Sequence, residues 1–454
     1  MSARKDELKT TAERVVERAR RRGARQADAW AELSRESSVR VRDGEVEDLQ
    51  QATSRGLGLR VIAGGRLGFA YTSDLGPESL DILVERAIQL AKSSAPDTAN
   101  RLPSAKVLGP RHGDLGLLDP EVVGLSTDWK IEAAKTMERA GRTVDRHVRT
   151  FESVGASDVV AEVAIASSEG LSDSYRSSYV ALFCAPVAQS DAGQLQTGYW
   201  VDYRRFLKEL QAPEAVGRKA AERAVRMLGA KKAKTCRVPV VFDPLQAASF
   251  FGGLVAAFDG KRIHQKASFL LGKLNQRVAP AGLSLVDDGL YPRGLGSRPF
   301  DGEGLPTRRT PLIQHGVLQS YLYDTYTAHK AKAKSTATAG RGYQSLPHIG
   351  TTTLVVESAQ TKPPAEILRG VRSGLYVTAT LGHGADTVTG DYSLGAAGLW
   401  IENGELAGPV QEMTIAGNLM SMLASIDAVG DDLELRGTVG APTIRFAELT
   451  VGGA

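Results

Sequence analysis

Residues able to do chemistry are sparse in this sequence, and the place to look for them first is the stretch VVFDPLQAASFFGGLVAAFDGKRIHQKASF at 240–269. Val240 to Phe242 reads as a short strand, Pro244 suits a first helical turn, and Leu245 to Phe258 is apolar almost all round, so the helix it predicts is buried. Asp259-Gly260 then ends it. A helix of this kind can hold zinc when it carries two histidines about one turn apart and a glutamate that activates water. Between Leu245 and Phe258 there is no histidine, cysteine or carboxylate.

Other candidates are isolated. His264, His315, His329, His348 and His383 are scattered, with no HxH or HxxxH spacing, and a lone histidine is more often a surface or structural residue than a ligand. His383 stands apart because glycines flank it and allow close approach of a ligand. Asp391, Tyr392 and Ser393, in TGDYSLGAAG, read as a hydrogen-bonded turn in which an Asp beside a Tyr could move a proton. Phe300 to Gly304 is an acidic, glycine-rich run that reads as a turn. Cys184 and Cys236 are the only cysteines, without CxxC spacing, which suggests neither a zinc ribbon nor a disulfide framework and fits a reducing compartment. There is no GxSxG elbow and no GxxxxGK[ST] loop.

The elements that must position these residues predict an α+β protein. The chain has 454 residues, 42% apolar and 24% charged, which is enough for two or three domains with their own cores. A net charge of +4 is too slight to argue for direct nucleic-acid contact, and the basic runs at 18–25 and 330–334 read as solvated faces. No signal-like or 18-residue apolar run occurs, so a soluble, cytoplasmic protein without membrane contact is expected. An amphipathic helix over 5–22 and a second from Pro77 to Lys92 flank strands joined by Asp43-Gly44 and Gly64-Gly65, both hairpin signals. Residues 1–110 are expected to form an amino-terminal α+β domain. Residues 111–232, with a helix capped by Ser126 or Thr127 and another from Pro213, are expected to form a middle α+β domain, and 233–454 a mostly β, barrel-like domain with helices near 244–258, 364–374 and 415–425.

Long ungapped segments carry a resemblance. VVFDPLQAA, HQKASFLLGKLNQ, LGSRPFDGEGLPTRRTPLIQHGVLQSYLYDTYTAHK and GHGADTVTGDYSLGAAGLWIENGELAGPVQEMTIAGNL span most of 240–420. Through them the chain resembles the TldD/PmbA family, and within it the PmbA (TldE) branch, named for modulation of DNA gyrase and implicated in a zinc metallopeptidase built of two related subunits.

In the TldD branch the helix carries H-E-x-x-x-H, and by resemblance those positions fall on Gly252, Gly253 and Ala257. The Cys ligand that the TldD branch supplies near its carboxyl end is also missing from DDLELRGTVGAPTIRFAEL. A structural zinc site is worth on the order of 10 kcal/mol only when donors are present, and glycine and alanine have none. The resemblance therefore implies a chain with no cofactor and no catalytic residue of its own. Its expected partners are a TldD-like subunit that holds the zinc and an unfolded peptide substrate, with His383, Asp391, Tyr392 and Ser393 as peptide contacts. Two alternatives are an independent peptidase, which would need His383 and Asp391 to converge, and a stand-alone regulatory or peptide-binding protein acting on gyrase or a toxin system.

Overall fold

The computed structural model describes residues 7–108, 113–382 and 384–453. Its first layer is one sheet built from β1 (Gln26–Arg42), β2 (Glu45–Ala63), β3 (Arg66–Thr72), β4 (Val148–Ser167), β5 (Ser172–Gln189), β6 (Leu195–Thr197) and β7 (Trp200–Arg204). The order is β3-β2-β1-β4-β5-β6, with β7 also on β5. The two hairpin signals are where sequence places them: Asp43 and Gly44 have φ of +52° and +78°, Gly64 and Gly65 +58° and +76°, the left-handed pairs that match strand twist. The short runs expected on either side of these turns are parts of much longer strands. Exposed stretches such as Gln50 to Ser54 lack the alternation by which a strand is recognised. Pairing of β1 with β4, from Asp28 opposite Ser167 to Val41 opposite Val154, makes the sheet continuous across the expected boundary at 110.

Alternation along β1 assigns its two faces. Ala27, Ala29, Ala31, Val39 and Val41 point one way, under helices α1 (Glu7–Arg21), α2 (Pro77–Ser93), α3 (Thr127–Arg142) and α4 (Pro213–Val225). Leu83 and Val84 of α2 pack with Leu57 and Leu59, while Met137 of α3 packs with Phe151 and Leu182. Asp28 and Trp30 point the other way, toward the carboxyl region. Of the two expected caps it is Ser126 that caps α3, its hydroxyl accepting from Trp129 N at 3.1 Å.

The carboxyl region closes into a barrel. Strands β8 (Cys236–Phe242), β9 (Ser373–Leu381), β10 (Asp391–Glu402), β11 (Glu405–Asn418) and β12 (Ile444–Gly452) run in the order β11-β10-β9-β8-β12, and pairing of β12 with β11 at Ile415 and Val451 completes a five-stranded ring. Only β8 and β9 are parallel neighbours in it. A separate six-stranded sheet includes Leu283–Asp288, Arg309–Gln314 and Leu354–Ser358.

The helices of this region are shorter than sequence predicts. The apolar helix is α5 (Pro244–Gly253), and Val255–Phe258 is a 3-10 turn, because two successive glycines at 252 and 253 weaken the helix where it would continue. Pro364–Arg369 ends at Gly370, and Leu419–Ala424 starts only after Asn418, whose side chain caps it; residues 373–374 and 415–418 are strand. Among the described residues no helix is long and apolar enough to cross a membrane.

Candidate functional site

Helix α5 is held rigidly at its start. The Asp243 carboxylate accepts from Gln246 N at 2.9 Å as an N-cap and from both terminal nitrogens of Arg223 at 3.1 Å. Arg223 and the Gln246 amide both donate to the Thr378 carbonyl of β9, and the Thr380 hydroxyl donates to the Gln246 oxygen. Burial pushes the Asp243 carboxyl above its ordinary value, while Arg223 pulls it back. Farther along, Phe250 packs edge-on against Phe242, Phe446 and Tyr392 at ring distances of 6.1, 5.3 and 5.9 Å. The helix is therefore anchored in the barrel's apolar interior.

Gly252, Gly253 and Ala257, on which the resemblance places the metal motif, differ in surroundings but share a lack of side-chain donors. Gly253 is exposed, and a Cβ built on it would meet no atom within 4 Å. Gly252 is half-buried, with Val439 at an ordinary 3.6 Å from such a Cβ. Ala257 is fully buried, and its carbonyl accepts from the Ser268 hydroxyl at 2.6 Å. These residues do not fit a zinc ion. Among the described residues no group of three or more His, Cys, Asp or Glu is placed to hold a metal.

The β9–β10 end of the barrel gathers most of the other singled-out residues. His383 lies outside the described residues. Asp391 and Ser393 are exposed and share a face, the Asp391 carboxylate accepting from the Thr389 hydroxyl at 2.9 Å. Tyr392 points to the opposite face, buried against Phe250, and burial raises its phenol well above the ordinary range. Asp391 and Tyr392 are thus separated by the pleat of the strand. The segment after His264 joins this rim: Phe269 N donates to the Thr387 carbonyl at 3.1 Å, and Leu271, Leu381 and Val388 are exposed. His264, His315 and His329 are exposed, and His329 meets Arg101 at 2.9 Å.

A second polar cluster lies between the first sheet and the carboxyl region. Asp28 and Arg60 are register partners on β1 and β2, bonded at 2.6 and 3.1 Å, and Arg341 makes two further bonds to the same carboxylate at 3.0 and 3.2 Å. Arg60 reaches Glu303 at 3.3 Å, whose other oxygen accepts from Thr325 N at 2.7 Å. All four side chains are buried. Burial pushes Asp28 up, but Arg341 and Arg60 outweigh it and hold the carboxyl below its usual range. Glu303 is pushed up to about 7, by burial first, against the pull of Arg60. The run Phe300 to Gly304 is a turn, as expected, yet a buried one: Asp301 accepts from Glu303, Leu305 and Ala339 N, and Phe300 packs on Trp30 and Tyr175. Sequence reading passed over Asp28 and Arg60. The available signal was a single charge inside each of two apolar alternating runs, ADAWA and GLGLRVIA.

With this geometry in view, the comparisons place the chain. Models of the PmbA/TldA metallopeptidase match as domain 1 over 27–91, as central domain over 121–228 and as C-terminal domain over 235–453. Metalloprotease PmbA of Escherichia coli O157:H7 is 33% identical over 416 residues, covering 92% of this chain and 90% of that protein. A PmbA homolog of Haemophilus influenzae is 32% identical over 453 residues, covering 100% and 98%. A protein of Bacteroides thetaiotaomicron named as a modulator of DNA gyrase superposes with a TM-score of 0.91 at 29% identity, over 99% of both chains. TldE from Thermococcus kodakarensis shares the fold, with a TM-score of 0.88 at 23% identity over 97% and 99%. The chain belongs to the PmbA/TldD metallopeptidase family, on its PmbA branch.

Proposed function

We propose that this chain is the non-catalytic subunit of a TldD/TldE-type zinc metallopeptidase, which shapes the channel for unfolded peptides while a related, metal-bearing subunit hydrolyses them. The observation that carries the reading is the pairing of an intact scaffold with emptied ligand positions: α5 is capped, pinned to β9 and packed in the barrel, yet Gly252, Gly253 and Ala257 offer no donor. Zinc belongs in the partner, and the complex works in the cytoplasm. Peptide contact falls to the rim around Asp391 and Ser393, where exposed Leu381 and Val388 add apolar surface to polar groups. His383, between Gly382 and Gly384 in sequence, is the further peptide contact that the resemblance suggests. An extended peptide docking there gains main-chain hydrogen bonds without demanding one sequence.

The test is to assay this chain, a TldD-like relative bearing H-E-x-x-x-H, and their mixture against an unstructured peptide, with and without a chelator. Cleavage is expected from the mixture, abolished by chelation, and none from this chain alone. The purified chain should retain no stoichiometric zinc after dialysis, measured by elemental analysis. Chelator-insensitive cleavage by this chain alone would overturn the proposal. Failure to associate with any metal-bearing relative would favour a stand-alone peptide-binding protein instead.

A further inference from the structure

A cavity of about 260 Å³ lies at the end of β7, against the carboxyl region, apart from both the α5 surface and the β9–β10 rim. Its charged lining is Arg204, Arg205 and Arg293 against the single carboxylate of Glu209. Two of the three guanidinium groups are already matched. Arg293 pairs with Glu209, and Arg204 lies 2.9 Å from the Asp202 carboxylate while donating to the Leu435 carbonyl at 3.1 Å. Arg205 differs, being 5% exposed and without a salt bridge to another described residue. It donates to the carbonyls of Ser178, Gly294 and Leu295 through four bonds of 2.6 to 3.3 Å. A guanidinium has five N–H groups, so one on Nη1 is left without an acceptor among the described residues. Burial pulls Arg205 down to about 10, opposed only by the Tyr175 and Tyr179 phenols, which still leaves it charged at neutral pH. A buried charge is costly unless an opposite charge meets it.

We propose that this cavity is a binding site for a small organic carboxylate, whose anionic group meets the unmatched charge of Arg205 and whose organic body lies against Tyr203, Tyr291, Leu295 and Leu435. The charge balance selects a monoanion. Asp202 and Glu209 already stand beside the other two arginines, so a phosphate dianion would bring a second negative charge that no free guanidinium meets. One charge-assisted bond from Nη1 to a carboxylate oxygen would satisfy both the spare N–H and the charge. The volume sets the size. It falls just below the roughly 300–1,000 Å³ of sites that enclose drug-sized ligands, yet exceeds what a carboxylate group alone would fill. Such a group comes from a free acid or from the carboxyl terminus of a peptide, and Arg205 would recognise both in the same way. The site needs neither zinc nor a metal-bearing partner, so it stands whether or not the subunit reading does.

Isothermal titration calorimetry of the full chain with N-acetyl-leucine and with N-acetyl-leucinamide tests this. The acid should bind saturably in the millimolar range and the amide about tenfold or more weakly, since only the acid carries the charge. A second pair, an unstructured peptide ending in leucine as the free acid or as the amide, tells the two sources apart. Preference for the peptide acid assigns the site to carboxyl termini, and no preference between the peptides assigns it to free acids. Arg205→Gln should abolish the advantage of N-acetyl-leucine over its amide. Because Arg205 is buried, that loss alone would not separate binding from folding, and Glu209→Gln supplies a result that unfolding cannot mimic. It removes a negative charge from the lining and frees Arg293, so it should tighten N-acetyl-leucine by about threefold or more. No saturable binding of the acid by about 10 mM, equal affinity for acid and amide in the wild type, an acid preference that survives in Arg205→Gln, or a Glu209→Gln variant that binds the acid no more tightly would each overturn the proposal.

Discussion

Between the first sheet and the carboxyl region, a chain of hydrogen bonds runs from Glu303 through Arg60 and Asp28 to Arg341, all four out of water. Around Gly252 and Gly253 the reverse holds, since there is space for side chains and no donor atom to fill it. The seam has the functional groups of an active site but no room for a substrate, and the α5 surface has the room without the groups. In this chain, ionisable side chains are committed to holding parts of the molecule together. Gly252 and Gly253, two of the positions on which the resemblance places the metal motif, have no side chain at all. This division supports the proposed reading of the chain as a non-catalytic subunit.

Breaking the seam should have the largest effect. Arg341→Ala takes away two of the four guanidinium bonds to Asp28 and leaves a buried carboxylate half-compensated. Removing one partner of a buried ion pair costs about 3–5 kcal/mol, because the remaining charge cannot return to water. Urea unfolding should show that loss as a lower midpoint. A change below about 1 kcal/mol would mean the seam is wetter than its burial implies, and the contrast with the α5 surface would collapse.

Asp287 extends the contrast to a carboxylate buried without a guanidinium bonded to it. Its oxygens accept from Thr352 N at 2.6 Å and from the Thr352 hydroxyl at 2.9 Å, and burial pushes its carboxyl up to about 7 against those bonds. The folded state then holds the proton more tightly than the unfolded chain does. Stability from this group is fully present below about pH 4 and is lost as pH rises toward 7. Asp287→Asn should remove that slope and make the protein more stable than wild type at pH 8 by about 1–3 kcal/mol, while the two converge at pH 4. Urea midpoints from pH 4 to pH 8 decide it, and parallel curves for the two proteins would count against burial as the dominant influence on Asp287, over the attraction of Arg298.

How much of this was visible in the sequence depended on whether a residue's role is local. Asp43-Gly44, Ser126 and Pro244 announce turns and helix starts because their effect is confined to neighbouring backbone, and all three hold in the structure. The open half of β2 and the length of β4 left weaker traces, since exposed strands need no alternation. Phe300 to Gly304 was legible as a turn but not as a buried one, because its burial comes from Trp30 and Tyr175, more than a hundred residues earlier in the chain. The seam itself could not be assembled from sequence. Asp28 and Arg341 come together only through the packing of the sheet on the carboxyl region. The lack of side-chain donors at Gly252, Gly253 and Ala257, by contrast, was legible from residue identity alone, as glycine and alanine have none in any fold.

The smallest expected effect separates two explanations of that emptied motif. If Gly252 and Gly253 are glycines because neighbouring atoms demand it, the missing ligands have a packing cause and say little about function. Elsewhere in the region glycine is demanded: a Cβ on Gly260 would lie 2.3 Å from the Tyr323 ring and 2.7 Å from the Leu322 carbonyl, so alanine there should destabilise. Gly253 has a helical backbone and open space beyond its Cα, and neither it nor Gly252 has a positive φ. Alanine at 253 removes conformations from the unfolded chain without meeting an obstacle in the folded one, so Gly253→Ala should stabilise by about 0.5–1 kcal/mol. Paired thermal melts of the two variants measure this, with Gly253→Ala expected above wild type and Gly260→Ala below it. Destabilisation by both would show that the α5 surface is held by its glycines for packing, and the absence of ligands would cease to distinguish it from any other close-packed turn.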